Sequence, residues 1–227
     1  MKDAETACAI EQSGKAMADY WDESAKTYDE RHELNDPALW MRTLSSYVGE
    51  NKDARILDVA TGTGMIADFI ASAGYGNVIG MDVSEEMMRR GRERALASGN
   101  DIEFVYGNTL AIPFEDESFD VVINSRLLWT LTDPALALSE WRRVLKPGGR
   151  VVAINELEDS GIEVDMNWGY SEKTGLDTFP FAQVSREGVL EEFEKAGFAN
   201  MEVSYMKGCR MVSSGRENWF AFLGVKA

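Results

Sequence analysis

Residues 55–83 read RILDVATGTGMIADFIASAGYGNVIGMDV. A short apolar run, ILDVA, meets a glycine turn, TGTG. An amphipathic segment follows and stops at a glycine, and a second apolar run, NVIGMDV, comes next. Strand, helix and strand in about thirty residues close as a parallel pair with a right-handed crossover.

The same rhythm continues outward from this unit. SEEMMRRGRERALASG is a second helix with Ser84 as its cap and Met87 in its first turn. IEFVYGN (102–108) is a third strand and FDVVINS (119–125) a fourth. DPALALSEWRRVLKPGG is a helix opened by Asp133 and Pro134 and closed by KPGG, and RVVAINE (150–156) is a fifth strand. Short apolar strands alternating with helices predict a doubly wound, Rossmann-like α/β sheet covered on both faces. The end of the chain breaks the alternation. A helix, a glycine stop at Gly197 and a strand lead to a last strand, ENWFAFLGVKA. The link KGCRMVSSGR between these two strands is too short for a crossover, so the last strand is expected to run antiparallel.

Upstream, residues 1–45 form a separate helical cap. Met17, Tyr20, Trp21, Ser24 and Tyr28 recur at helical spacing, and NDP (35–37) starts another helix with Asp36 as cap. Residues 46–227 are read as the main domain, with a substrate-side insertion at about 157–183. That insertion is acidic and carries Met166, Trp168, Tyr170, Phe179 and Phe181.

Composition narrows the function. The chain has 227 residues and a formal net charge of −16. A basic stripe of the kind nucleic acids require is missing from the sequence. No apolar run reaches the roughly 18 residues of a membrane span, and the start lacks a secretory core. The expectations are therefore a cytoplasmic protein, no nucleic-acid or membrane partner, and a small-molecule substrate. Cys8 and Cys209 are expected as unrelated reduced thiols. With His32 the only histidine, no metal site is expected.

The glycine turn leaves the ligand open. GTGMIA (62–67) fits G-x-G-x-x-A, which suits the pyrophosphate of NAD and equally a sulfonium nucleoside. Asp82 follows Gly62 by twenty positions and can accept from ribose hydroxyls in either case. Asp58 decides between them. A carboxylate just before the turn repels a pyrophosphate by several kcal/mol at an effective dielectric near 20, whereas it attracts a cation.

Four ordered segments, ILDVATGTGMIA, VIGMDVSEEMM, IEFVYGNTLAIPFEDESFDVVINS and ALALSEWRRVLKPGGRVVAINE, resemble the successive motifs of class I S-adenosylmethionine-dependent methyltransferases. They are most similar to the small-molecule branch that includes the ubiquinone and menaquinone C-methyltransferases. The resemblance implies a seven-stranded sheet with its last strand antiparallel, S-adenosylmethionine as cofactor, and in-line methyl transfer to a small molecule. The alternatives are an NAD-dependent oxidoreductase and a binding module without catalysis. By the same resemblance, Asp58, Ala60, Thr61, Gly62 and Gly64 belong to the methionine-binding loop, and Asp82 binds ribose. Val83 (or Met81) and Met87 lie by the adenine, with Asn108 and Thr109 bonding or covering it. Asn124 and Ser125 lie beside the methyl group, and Tyr20 and Tyr28 close over the methionine end. Ala60 stands where the pattern has glycine, so a negative φ is expected there. Asn108 stands where it often has an acid.

No residue is a convincing base. Arg126 can orient an anionic or carbonyl substrate, and Glu156 ends the fifth strand, followed by Glu158 and Asp159. His32, which follows YDER near the cap, is the remaining candidate, although a lone histidine in a charged helix is more often a solvated surface residue.

Overall fold

The computed structural model describes residues 2–157, 169–181 and 185–227, with side chains described from Ile10 onward. Met166 and Trp168 of the insertion, and Glu158 and Asp159, lie outside the described residues.

The chain opens with α1 (Lys2–Ser24), α2 (Tyr28–Arg31) and α3 (Pro37–Val48). The expected single run through Tyr28 is broken by a 3-10 turn at Ala25–Thr27, because Thr27 leaves helical geometry at φ −126° and ψ 9°. α3 carries the chain across residue 45 without a break. It is opened by Pro37 and by the Asp36 side chain, which accepts from the Leu39 amide. Then come β1 (Arg55–Val59), α4 (Met65–Ser72), β2 (Asn77–Asp82), α5 (Glu85–Ser98), β3 (Ile102–Tyr106) and β4 (Phe119–Ser125). α6 (Pro134–Val144), β5 (Leu145–Glu156), α7 (Tyr170–Thr174), α8 (Arg186–Lys195), β6 (Phe198–Tyr205) and β7 (Trp219–Lys226) complete it.

The helix starts follow the sequence. Ser84, Asp133 and Ser185 each accept from an amide two or three positions into the helix they cap, a bond worth about 1 kcal/mol apiece. The end of α6 differs from expectation. KPGG does not form a separate stop; β5 begins at once at Leu145. Leu145 pairs with Phe119 and Arg150 with Val121, so the extra residues bulge, and Gly148 at φ 74° accommodates the bulge.

The sheet order is β3-β2-β1-β4-β5-β7-β6. β7 inserts between β5 and β6 and is antiparallel to both, as the short link requires. Leu57, Val122, Val151 and Phe222 on one face pack against Trp141 of α6 and Phe193 of α8. Ile56, Val78, Ile123 and Ile154 on the other pack against Trp40 and Leu44 of α3 and Ile70 of α4. The strand order reverses between β1 and β4, and a crevice opens at the carboxyl ends of that pair.

Candidate functional site

The loop after β1 is built from left-handed residues. Ala60, Gly62 and Gly64 have φ of 55°, 55° and 70°. The expectation of a negative φ at Ala60 is therefore wrong. Its Cβ is tolerated at some cost because the Thr61 amide is tied to the Met81 carbonyl at 3.0 Å, which fixes the corner. Both glycine amides of the loop are also committed. Gly62 donates to Asp82 at 2.8 Å and Gly64 donates to the Thr61 carbonyl at 2.9 Å. A pyrophosphate needs such amides free. A Cβ on Gly62 would meet nothing within 4 Å, so this residue borders open space. Gly64 does not: a Cβ there would meet the Phe104 ring at 3.0 Å and Gly91 Cα at 3.2 Å. Its place in the motif reflects packing of α4 on α5.

Asp58 is buried at the tip of β1. The Thr61 hydroxyl donates to its Oδ2 at 2.6 Å and the Ala67 amide lies close enough to favour the ionised form, yet Oδ1 makes no hydrogen bond of good geometry, and the residue lines a cleft shared with Thr63, Ile66 and Ser125. Burial pushes its pKa up to about 7, against the Thr61 bond and with help from the nearby Asp82 charge. A buried carboxylate oxygen without a donor is costly, and a cationic ligand removes that cost.

Asp82 ends β2. Its oxygens accept from the Gly62 amide at 2.8 Å and the Ser84 amide at 2.9 Å, which leaves lone pairs facing the adjoining groove. Burial lifts its pKa to about 6 despite those bonds. The groove is lined further by Val83, Met87, Gly107, Asn108 and Thr109, and from α1 by Met17 and Trp21. Asn108 is busier than expected. Its carbonyl accepts from the Leu110 amide at 2.9 Å and its amide donates to the Ile10 carbonyl of α1 at 3.3 Å. An acid could not make that second bond. The Thr109 hydroxyl accepts from Trp141 Nε1 at 2.8 Å.

Two expected residues lie elsewhere. Tyr20 lines none of this groove. It is buried against Tyr170 of α7, ring centroids 4.7 Å apart, because positions 20 and 21 of a helix face about 100° apart and Trp21 takes the cleft. Asn124 is fully buried on the same strand face as Val122, and its side-chain atoms have no partner among the described residues. Ser125 and Arg126 hold the rim instead.

Acidic residues fasten the cap. Asp22 of α1 accepts from the Ser84 hydroxyl at 2.5 Å and the Glu86 amide at 3.1 Å, at the positive end of α5. Asp29 of α2 accepts from the Thr63 hydroxyl at 2.5 Å and pairs with Arg94 at 2.7 Å.

A further cavity of about 300 Å³ adjoins the groove. It is lined by Trp21 and Trp129, by Arg31, Arg126 and Arg216, and by the candidates His32 and Glu156, among others. His32 is buried there, not solvated, with Nδ1 2.9 Å from the Tyr28 carbonyl oxygen. Burial and then the Arg126 charge drive its pKa down to about 3. Tyr28 and Arg126 border this cavity and both parts of the groove. Arg126 Nη2 donates to the Tyr28 hydroxyl at 2.6 Å. Arg126 itself has φ 57°, a second strained residue at the tip of the strand beside β1.

Known proteins resemble this chain in sequence and in fold. A family model described as a methyltransferase domain matches residues 57–153. The demethylmenaquinone methyltransferase of Staphylococcus aureus (strain JH9) is 37% identical over 189 residues, which cover 75% of this chain and 78% of that one. The chain belongs to the class I S-adenosylmethionine-dependent methyltransferases. S-adenosylmethionine is the cofactor of that family, which answers the question the glycine turn posed. A ubiquinone/menaquinone biosynthesis C-methyltransferase from Roseobacter denitrificans is 38% identical over 119 residues, so this chain spans about half of that relative, 48%. Among solved structures, phosphoethanolamine N-methyltransferase 2 of Haemonchus contortus with S-adenosyl-L-methionine has a TM-score of 0.63 at 20% identity, covering 83% of this chain and 52% of that one. A [4+2]-cyclase has a TM-score of 0.62 at 18% identity, covering 82% and 79%. Such likeness shows the fold alone, and the cyclase shows how far chemistry varies upon it.

The residues of this chain fit the family's cofactor. Asp58 Oδ1 awaits a donor, Gly62 leaves room, and Asp82 keeps acceptor capacity. Sequence reasoning missed Trp21, Met17 and Gly107 as groove residues. The i, i+4 spacing of Met17 and Trp21 was the available signal for the first two. Met211, Ser213 and Asn218 in the second cavity carried no signal, since only the β6–β7 link brings them there.

Proposed function

We propose that this chain transfers the methyl group of S-adenosylmethionine to a small-molecule acceptor by in-line displacement. The observation that carries the reading is the buried, unpartnered Oδ1 of Asp58 bordering the cleft. It suits the ammonium of the methionine part, while Asp82 suits the ribose. The cofactor supplies a methyl already activated on a sulfonium, so alignment and exclusion of water are the protein's task.

In this reading residues 1–45 act as a cap, with Trp21 and Tyr28 closing the groove and Asp22 and Asp29 holding it shut. The insertion at 157–183 lies on the substrate side. Its described part packs Tyr170 and Phe179 on Tyr20. The chain acts in the cytoplasm; no described helix is long and apolar enough to cross a membrane. Demethylmenaquinone and related quinones, named for the relatives, are the first acceptors to try.

Calorimetry with S-adenosylhomocysteine and with NAD tests the cofactor half. Binding of NAD and none of S-adenosylhomocysteine refutes it. Turnover with labelled methyl donor and a panel of quinol, thiol, amine and carboxylate acceptors tests the catalytic half. Labelling of none of them favours a binding module.

A further inference from the structure

Taking the methyl-donor reading of the groove as given, Asn108 bears on how the donor's base is held. It follows β3, borders the groove and is bound at both ends of its carboxamide. The Ala111 amide donates to its backbone carbonyl at 3.0 Å, and the Leu110 amide donates to its Oδ1 at 2.9 Å. Asparagine and aspartate fold such a turn equally well. The other end of the side chain decides between them. Nδ2 donates to the Ile10 carbonyl of α1 at 3.3 Å. A carboxylate oxygen in its place would face that carbonyl oxygen with no hydrogen between them.

Helix α1 is shaped to the same contact. Gly14 is buried one turn beyond Ile10, and a Cβ on it would stand 2.9 Å from Asn108 Nδ2. Nδ2 can retreat from such an atom only by giving up its bond to Ile10. Glycine is unfavourable inside a helix, so this close approach explains its presence. Met17 and Trp21 continue the same face of α1 along the groove. Asn108 therefore ties down the helix that roofs the base.

The two bonds also fix which edge of the planar amide the groove meets. Exchanging Oδ1 and Nδ2 would lose both. The lone pair that Oδ1 keeps is on a neutral oxygen already shared with the Leu110 amide, whereas Nδ2 has a second hydrogen to give. The only carboxylate among the described lining residues of this part of the groove is Asp82, which suits the ribose. We propose that Asn108 locks α1 to the turn after β3, that it meets the donor's purine as a hydrogen-bond donor, and that the groove accordingly accepts a 6-oxo purine nucleoside as readily as a 6-amino one. Adenine offers such a donor only its ring nitrogens. Hypoxanthine adds an oxo oxygen. A carboxylate at this position would sort the two the other way, by accepting from the amine and repelling the oxo group.

Calorimetry on the full chain compares S-adenosyl-L-homocysteine with S-inosyl-L-homocysteine, which differ in that amine and oxo group. The inosyl compound is expected to bind no more than about fivefold more weakly, and a larger deficit overturns the inference. In Asn108→Asp the adenosyl compound is expected to be favoured by at least roughly tenfold, and an unchanged ratio overturns it. The lock is read in the free chain by the rate of tryptic cutting at Lys15, which is exposed on α1. Alanine favours a helix over glycine, so propensity alone makes Gly14→Ala slower to cut. Loss of the lock makes it faster, which is the expected result; equal or slower cutting overturns the inference. Should Asn108→Asp fail to fold, the affinity ratio of the unmodified chain and the Gly14→Ala digestion decide. A chain that binds S-adenosyl-L-homocysteine and rejects the inosyl compound refutes this inference alone. One that binds neither refutes the reading beneath it.

Discussion

Among the described residues, the groove and the cavity beside it are edged mainly by opposite charges. The groove is edged by Asp58 and Asp82, both buried and both with pKa values pushed up. The cavity is edged by arginines, with His32 pushed down. Tyr28 and Arg126 form the wall between them. In the proposed reading the cationic donor belongs to the acidic side. The protein meets an energetic cost on the acidic side, since Asp58 and Asp82 are buried, and a ligand of the right sign relieves it.

The largest expected effect tests the acidic side. Asp58→Asn keeps an acceptor for the Thr61 hydroxyl but removes the charge. It is expected to weaken S-adenosylhomocysteine binding by about 3 kcal/mol, near the upper end for a charged hydrogen bond. Thermal stability of the free chain should not fall, because a buried carboxylate has been removed. An unchanged dissociation constant takes Asp58 out of the site and dissolves the contrast. Asp82→Ala comes next, with about 1–3 kcal/mol lost from binding. Here stability should fall as well, since the Gly62 and Ser84 amides lose their acceptor. Calorimetry and thermal melts on the same samples separate the two residues: one affects binding alone, the other both.

Proton linkage sharpens the same comparison. Both carboxyls have folded pKa values of about 7 and about 6, raised from 3.8. Between the unfolded and folded values the folded chain binds more protons than the unfolded one. Stability from these groups is therefore full at acid pH and is lost as pH rises through about 6 to 7. Binding of a cation runs the other way, because it needs the ionised form. The melting-temperature increase produced by S-adenosylhomocysteine should grow from about pH 5.5 to about pH 8. A flat or falling increment means that the carboxylates do not face the ligand's ammonium.

The two sides also differ in how legible they were. The acidic groove is made from strand tips and the turns after them, so motif order located Asp58, Gly62, Asp82 and Asn108. Even there, burial was hidden. Strand alternation sent Asn124 to the core, and a 100° step along α1 exchanged Tyr20 for Trp21. The doubly wound sheet and the antiparallel β7 followed from strand rhythm and one short link, whereas the strand order came only with the structure. The basic cavity gathers residues from α2, the turn after β4, the end of β5 and the β6–β7 link. Only the finished topology brings those segments together. His32 illustrates the point: its charged local sequence suggests solvent, while its tertiary neighbours bury it.

The smallest expected effect concerns the strained tips of β1 and β4, where Ala60 and Arg126 share the left-handed region at φ 55° and 57°. The two are not equally open to test. Replacing Arg126 by glycine would relieve its backbone and delete its guanidinium together. Ala60→Gly changes little besides the backbone and one methyl group. Glycine adopts this φ without the Cβ penalty but adds freedom to the unfolded chain, so the terms partly offset. The net gain is expected to be about 0.5–1 kcal/mol in denaturant unfolding, with S-adenosylhomocysteine affinity within about threefold of the parent. A gain in stability with a marked loss of affinity would mean that the alanine methyl holds the corner in its ligand-ready shape. Strain at the tip of β1 would then serve binding directly.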